Sequence, residues 1–297
     1  MASSIDIKAI LSKHGLPCNE IAKCGTGFRN EVWLAGDYVV KVYGINTGGY
    51  DKELWFYKTA QLSYSPMFIA YGENYIILER IYGTGLFRLW RDMNDIEREA
   101  TVEQVADIAC AINKVSLVGA ETYFQIASNW QQYILLRIKN NIEKLTKIKG
   151  IPPSLAKRTL RYTRHYLSFL DDKRLFLTYA DLHFDNLIRA ENGRLYLLDY
   201  EMLAVAPCDF VLDVWQRMLI HPFTYANVDD HALTVPKDYR YILSWMQKYA
   251  PSLFSHPHVH ERVNIYGILY ELDMLRDYPM GGWPIERLEK YLDGVEW

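Results

Sequence analysis

Asp181, Asn186 and Asp199 are the residues of this chain whose types and spacing could do chemistry. The run Thr178-Tyr179-Ala180-Asp181-Leu182-His183-Phe184-Asp185-Asn186 puts a carboxylate five residues before an amide, and Asp199 follows thirteen residues after that amide. Between Asn186 and Asp199 lie the turn-forming pair Asn192-Gly193 and an apolar strand, Arg194 to Leu198. The order suits phosphoryl transfer. That reaction needs one carboxylate at the attacking hydroxyl, and a second carboxylate with an amide oxygen on a divalent cation, since charge on the transferred group is handled by positioning and electrostatics. Magnesium accepts one or two protein carboxylates and completes its octahedron with phosphate and water. Asp181 is therefore the candidate catalytic residue, and Asn186 and Asp199 are the candidate metal ligands. Either acid taken singly reads as an ordinary turn or strand-end acid; the whole set, in order, is what points to a site.

These residues resemble a known family. Asp181-Leu182-His183-Phe184-Asp185-Asn186 is similar to the catalytic signature of the aminoglycoside phosphotransferase and choline kinase-like enzymes, in which His-Gly precedes the Asp, and Leu198-Asp199-Tyr200-Glu201 resembles the metal-binding run that follows. Tyr179-Ala180 stands where the family has His-Gly. The resemblance implies an α+β, two-lobed protein kinase-like fold: an N-terminal antiparallel β-sheet lobe with one main helix over residues 1–81, and a larger, mainly helical C-terminal lobe over 82–297. It also implies transfer of the γ-phosphoryl group of ATP, or of GTP, to a hydroxyl of a small cationic molecule in the presence of Mg2+. An aminoglycoside or amino sugar is the first expectation for the acceptor; choline, ethanolamine or another small metabolite is the second. A non-catalytic nucleotide-binding protein is the alternative of a different class. A protein-substrate kinase fits less well, because no Asp-Phe-Gly opens an Ala-Pro-Glu-bounded activation segment after Asp199.

The elements that must position these groups come earlier. Ile21 to Gly25, Phe28 to Ala35 and Tyr38 to Tyr43 are rich in branched and aromatic residues and read as an antiparallel meander. A short helix over Ile5 to His14, capped by Ser4, is expected ahead of it. Gly25 and Gly27, at the first hairpin, would let the backbone approach a nucleotide's phosphates. No Gly-Lys-Ser/Thr follows them, so a P-loop NTPase is a poor fit. Lys41 lies inside the apolar strand Val39-Val40-Lys41-Val42-Tyr43, where a buried ammonium requires an anionic partner, unless strand alternation turns it to solvent. Glu53, twelve residues on at the start of a helix, is the natural candidate, with Asp51 in competition. The pair matches the strand lysine and helix glutamate of kinases. Met67 to Tyr71 and Tyr75 to Leu78 complete the sheet. Leu78 to Gly85 resembles the family's hinge, with the backbones of Glu79 and Ile81 as candidates for adenine contacts.

Beyond the hinge, apolar residues recur at three and four residue steps over Val102 to Val115 and Ile134 to Leu145, with a third helix expected over Leu155 to Leu170 after Pro152-Pro153. Ala206-Pro207-Cys208-Asp209 to Asp213 resembles the stretch whose acid steadies the catalytic loop, and Asp209 and Asp213 are both candidates. In the family the C-terminal helices line the acceptor pocket, which draws notice to Glu261, Glu271, Asp273 and Asp277 and to Tyr266, Tyr270 and Trp283.

Composition agrees with a large folded core. Half of the 297 residues are apolar, and the net charge of -3 gives no basic footprint for nucleic acid. Cys18, Cys24, Cys110 and Cys208 are scattered and read as reduced thiols. With no signal core and no apolar run of about 20 residues, a cytoplasmic protein without membrane contact, monomeric or homodimeric, is expected.

Overall fold

Runs of Val, Ile and Tyr build the first sheet, and their order in it follows from how apolar each run is. The computed structural model describes residues 6–24, 30–44, 49–225, 234–278, 283–295 and 297. The strands Ile21–Cys24, Asn30–Ala35 and Tyr38–Tyr43 pair antiparallel in sequence order, as the expected meander requires. Tyr75–Glu79 then pairs with Tyr38–Tyr43, and Phe68–Gly72 takes the outer edge. The run Tyr75-Ile76-Ile77-Leu78 is buried throughout, which suits an inner position, whereas the edge strand carries the smaller Ala70 and Gly72. Val40, Ala35 and Ile77 form a core with Ile7 and Leu11 of the helix Ile7–Lys13. Asp6 caps that helix, its Oδ1 accepting from the Ala9 N–H at 3.1 Å. The sequence expectation gave that role to Ser4; Ser4 and Ile5 lie outside the described residues.

The chain forms two compact units. The first comprises Met1–Leu89, Val118–Phe124 and Phe184–Leu203; the second comprises Trp90–Leu117, Gln125–His183 and Ala204–Trp297. Residues 118–124 and 184–203 thus group with the β-rich part, although the sequence reading counted them with 82–297. The reason is visible in the pairing: Gly83–Gly85 runs antiparallel to Leu187–Ala190, which turns at Gly193 (φ 81°) into Leu195–Leu197. At Gly83 a Cβ would fall on the carbonyl of Arg189, so the backbones meet where only glycine fits. Tyr200, wholly buried, stacks on Phe56 at 4.1 Å, meets Tyr57 edge-on at 5.4 Å and hydrogen-bonds Ser65 through its hydroxyl. Phe56 and Tyr57 belong to the main helix of this unit, Gly49–Thr59.

The second unit is mainly helical. The helices Asp95–Asn113, Trp130–Lys147 and Pro153–Tyr166 cover the three periodic stretches of the sequence, the last ending in a 3-10 turn at Leu167–Leu170. Asn94 and Glu97 close a capping box at the first of them. Leu212–Ile220, Val259–Asp277 and Trp283–Asp293 follow, and a two-stranded sheet pairs Phe176–Tyr179 with Leu203–Ala206. The whole is an α+β architecture: an N-terminal antiparallel sheet and a larger helical part. No described helix is long and apolar enough to cross a membrane.

Candidate active site

In the first unit the site is built around one buried ammonium. Strand alternation points Lys41 inward, not at solvent, and it is 5 % exposed. Its Nζ lies 2.7 Å from Glu53 Oε2, 3.0 Å from Asp199 Oδ2 and 2.7 Å from Glu201 Oε1. Glu53 comes from the second turn of the helix Gly49–Thr59 and is wholly buried, whereas Asp51 is exposed. The helix period decides between them, since positions two apart point to different sides. Glu53 is held from three directions: by Lys41, by the Tyr43 hydroxyl at 2.5 Å and by the Tyr200 N–H at 3.3 Å.

The electrostatics of this cluster oppose burial to pairing. Burial pushes the Glu53 carboxyl up to about 7, assisted by the Asp199 charge and resisted by Lys41. Burial works against the Lys41 ammonium, but Glu53, Asp199 and Glu201 together hold its pKa above the ordinary lysine range. The Tyr43 hydroxyl is driven up by burial and by the Glu53 charge beside it, so it stays a donor.

Asp199 uses its two oxygens differently: Oδ2 faces Lys41 and Oδ1 accepts from the Glu201 N–H at 2.8 Å. The Leu198 N–H donates to the carbonyl of Asn186 at 3.0 Å, which fixes the turn Phe184–Asn186 beside the strand end carrying Asp199. Glu53, Asp199 and Glu201 each offer a carboxylate oxygen, all within 4.8 Å of one another. A hard, oxygen-only donor set of this kind fits magnesium. Glu201 also accepts from the Asn30 side-chain amide, and a Cβ on Gly49 would lie 2.9 Å from its Oε2, so the carboxylate is seated against the start of the helix Gly49–Thr59. Gly25 and Gly27 lie outside the described residues.

At the end of the strand Tyr75–Glu79, the Glu79 N–H donates to the Met67 carbonyl at 2.9 Å, and its carboxylate accepts from the Met67 N–H at 3.2 Å. The side chain is turned back on the edge strand, so a contact of Glu79 with a base would come from its carbonyl. Ile81 stands two residues past the strand end, half-buried.

In the second unit Asp181 follows the strand Phe176–Tyr179, whose last residue, Tyr179, is buried. The Asp181 carbonyl accepts from the His183 N–H at 2.8 Å, and the His183 ring nitrogen Nε2 lies 3.4 Å from Asp181 Oδ2. The Tyr270 hydroxyl is raised by burial and is lowered by Arg217; Glu271 and Asp181 are among the charges that raise it further. The Asp181 charge thus acts on Tyr270, in the middle of the helix Val259–Asp277. Arg217 stacks on the Tyr270 ring at 3.4 Å and pairs with Asp213 at 3.1 Å. Asp209, the second residue of the 3-10 turn Cys208–Val211, makes no cap: it accepts from both Nε and Nη2 of Arg262, at 2.5 and 2.9 Å, and Asp172 completes that cluster.

Asp213 gives a pH-dependent prediction. Burial pushes its carboxyl up to about 6 against the pull of Arg217 and Arg287. A raised acid contributes stability that is fully present below its ordinary value near 3.8 and is lost as the pH rises through about 6. Denaturant titrations should show the wild type losing about 2 kcal/mol relative to Asp213→Asn between pH 4.5 and 7. A difference independent of pH would assign the proton elsewhere.

Neither a protein-family model nor a curated protein sequence matches the chain. Solved structures do match over nearly its full length. Aminoglycoside phosphotransferase APH(2'')-Ib with ADP bound aligns over 97% of both chains at 16% identity and a TM-score of 0.65. The gentamicin complex of APH(2'')-IIa aligns over 98% of this chain and 95% of that one, at 18% identity and a TM-score of 0.66. The GDP complex of aminoglycoside 2'-phosphotransferase-IIIa gives 96% and 95%, 16% identity and a TM-score of 0.69. The chain has the aminoglycoside phosphotransferase fold.

Within the aminoglycoside phosphotransferase fold, sequence reasoning named Lys41, Glu53, Asn186 and Asp199, but not Glu201, Asn30 or Tyr43. Glu201 carried a legible signal: an acid two residues after Asp199, with only Tyr200 between. Asn30 and Tyr43 carried none, because each matters through a contact that only the folded unit creates.

Proposed function

We propose that this chain is a small-molecule kinase that moves the γ-phosphoryl group of ATP, or of GTP, to a hydroxyl. The observation that carries this reading is the buried Lys41–Glu53 pair with Asp199 and Glu201 on the same ammonium. A protein freed from nucleotide chemistry has no reason to bury a lysine among three carboxylates, given the cost of desolvating them.

On this reading Lys41, held straight by Glu53, contacts the α and β phosphates. Asn186, Asp199 and Glu201 are the residues that would hold magnesium. Magnesium, when bound, neutralises charge on the phosphates and on the transferred group. The backbones of Glu79 and Ile81 receive the base. Asp181 orients the acceptor hydroxyl and takes its proton, and His183 fixes the rotamer of that carboxylate. The order of acceptors from the sequence stands as the order of trial: aminoglycosides and amino sugars, then choline, ethanolamine and other small metabolites. Nucleotide-bound and gentamicin-bound neighbours of the same fold support a nucleotide and a small acceptor.

Nucleotide consumption with magnesium tests the proposal, with ATP and GTP in parallel against that acceptor panel. Acceptor-dependent turnover supports it. Tight nucleotide binding without turnover on any acceptor favours the non-catalytic alternative, which the Tyr179-Ala180 departure motivates. Asp199→Ala should weaken magnesium–nucleotide binding by about 10–100-fold, the usual cost of losing a group that orders a metal site; unchanged affinity by calorimetry would remove Asp199 from the metal.

A further inference from the structure

Glu201 Oε1 accepts from two donors: the Lys41 ammonium, at 2.7 Å, and the side-chain amide of Asn30. Asn30 opens the strand Asn30–Ala35 and pairs there with Tyr43, the residue whose hydroxyl bonds Glu53. The other end of the same amide, Oδ1, accepts from the Gly44 N–H at 3.4 Å. A carboxylate can only accept and a backbone N–H can only donate, so the two partners agree on which end of the amide is nitrogen. They lie 171 and 14 residues away along the chain, whereas an asparagine that merely serves a local turn bonds backbone groups within a few residues of itself.

The two donors on Glu201 differ in what they fix. An ammonium is a compact charge with three rotatable donors, and it attracts a carboxylate without setting the plane of the group. A planar amide anchored at its far end offers its N–H in one direction, and so fixes where Oε1 stands. On the other side Gly49 leaves the carboxylate just enough room: a Cβ there would lie 2.9 Å from both Cγ and Oε2 of Glu201. The Glu201 N–H donates to Asp199 Oδ1 at 2.8 Å, so the two acids are also tied to each other. The Glu201 side chain is only 10 % exposed, where hydrogen bonds are stronger than in water.

We propose that Asn30 is a positioning residue: it holds the Glu201 carboxylate where that group can take a divalent cation together with Asn186 and Asp199, and thereby sets the affinity for the cation without touching it. The inference rests on the phosphotransferase reading and adds to it a residue which that reading leaves without a role. Groups that orient a metal ligand are typically worth about 10–100-fold in metal affinity.

The test uses Mn2+ as the probe on the full-length protein with ADP, its binding read by water-proton relaxation, and calorimetry for ADP binding with the metal chelated. Asn30→Ala should weaken Mn2+ binding about tenfold or more and leave the affinity for metal-free ADP within about twofold, with little change in thermal midpoint. Asn30→Ser, which keeps a hydrogen-bonding group at the strand start but lacks the reach of the amide, should show the same loss. In a Glu201→Ala background, Asn30→Ala should change Mn2+ affinity by less than about twofold, because its effect passes through Glu201. An unchanged Mn2+ affinity in Asn30→Ala overturns the inference. So does an equal loss with and without Glu201, which would route the effect elsewhere, and so does an equal loss for metal-free ADP, which would make Asn30 a nucleotide contact. These three outcomes leave the kinase reading intact. A wild type that binds neither ADP nor Mn2+ overturns both.

Discussion

Asp181→Asn should fold like the wild type and lose about 10²–10⁴-fold in turnover, the usual contribution of a positioned general base. The amide keeps the shape of the carboxylate and its place after the strand Phe176–Tyr179, but it cannot take a proton from the hydroxyl. The ATP KM should stay within about threefold, because Asp181 has no part in nucleotide binding on this reading. Acceptor-dependent phosphate transfer, followed together with the thermal midpoint, checks the prediction. An equal rate in the variant would remove Asp181 from the mechanism; a collapsed midpoint would show that its role is structural.

Lys41→Met should cost about 3–5 kcal/mol in stability, since removing one partner of a buried pair leaves the other charge uncompensated. Three carboxylates, from Glu53, Asp199 and Glu201, would then face one another with no cation between them. The loss should be smaller at pH 5.5 than at pH 8. Burial already pushes Glu53 up to about 7, so below that value it can accept a proton and shed the repulsion. The double variant Lys41→Met/Glu53→Gln should recover part of the loss, a coupling that adjacent charges show and distant ones do not. Denaturant midpoints at the two pH values decide: equal losses at both would mean that repulsion relieved by protonating Glu53 does not set the cost of losing the ammonium. Lys41→Met should also abolish detectable turnover.

The pairing of Lys41 with Glu53 could be read in the sequence. An ammonium inside Val39-Val40-Lys41-Val42-Tyr43 is costly unless paired, and that cost alone points to a carboxylate; Glu53 was legible because the helix that carries it begins close by. Asp181, Asn186 and Asp199 stood out as candidates because the chemistry asks for their types and the hairpin sets their spacing. The sheet order was less so: the sequence suggests a further pair of strands after the helix, but only the burial of Tyr75-Ile76-Ile77-Leu78 explains why that strand lies inside and Phe68–Gly72 at the edge. The choice between Asp209 and Asp213 could not be made from spacing, since both are buried beside arginines, Arg262 and Arg217, that come from different distances along the chain. Nor could the charge balance near Tyr270 be foreseen. Acids at Glu271 and Asp273 look like ammonium receptors until Arg287, Arg137 and Arg276 are found on them.

The excursion of residues 184–203 into the first unit sets a rule for how this chain can be made. The ring of Tyr200 fills the place against Phe56 and Tyr57, and Gly83–Gly85 finds its strand partner only in Leu187–Ala190, about a hundred residues later. On the ribosome, the β-rich part must therefore wait, with part of its core open, until the greater share of the polypeptide has emerged. A fragment ending near residue 90 would present that unfilled aromatic surface to solvent and to other copies of itself, and self-association is the outcome to expect of it.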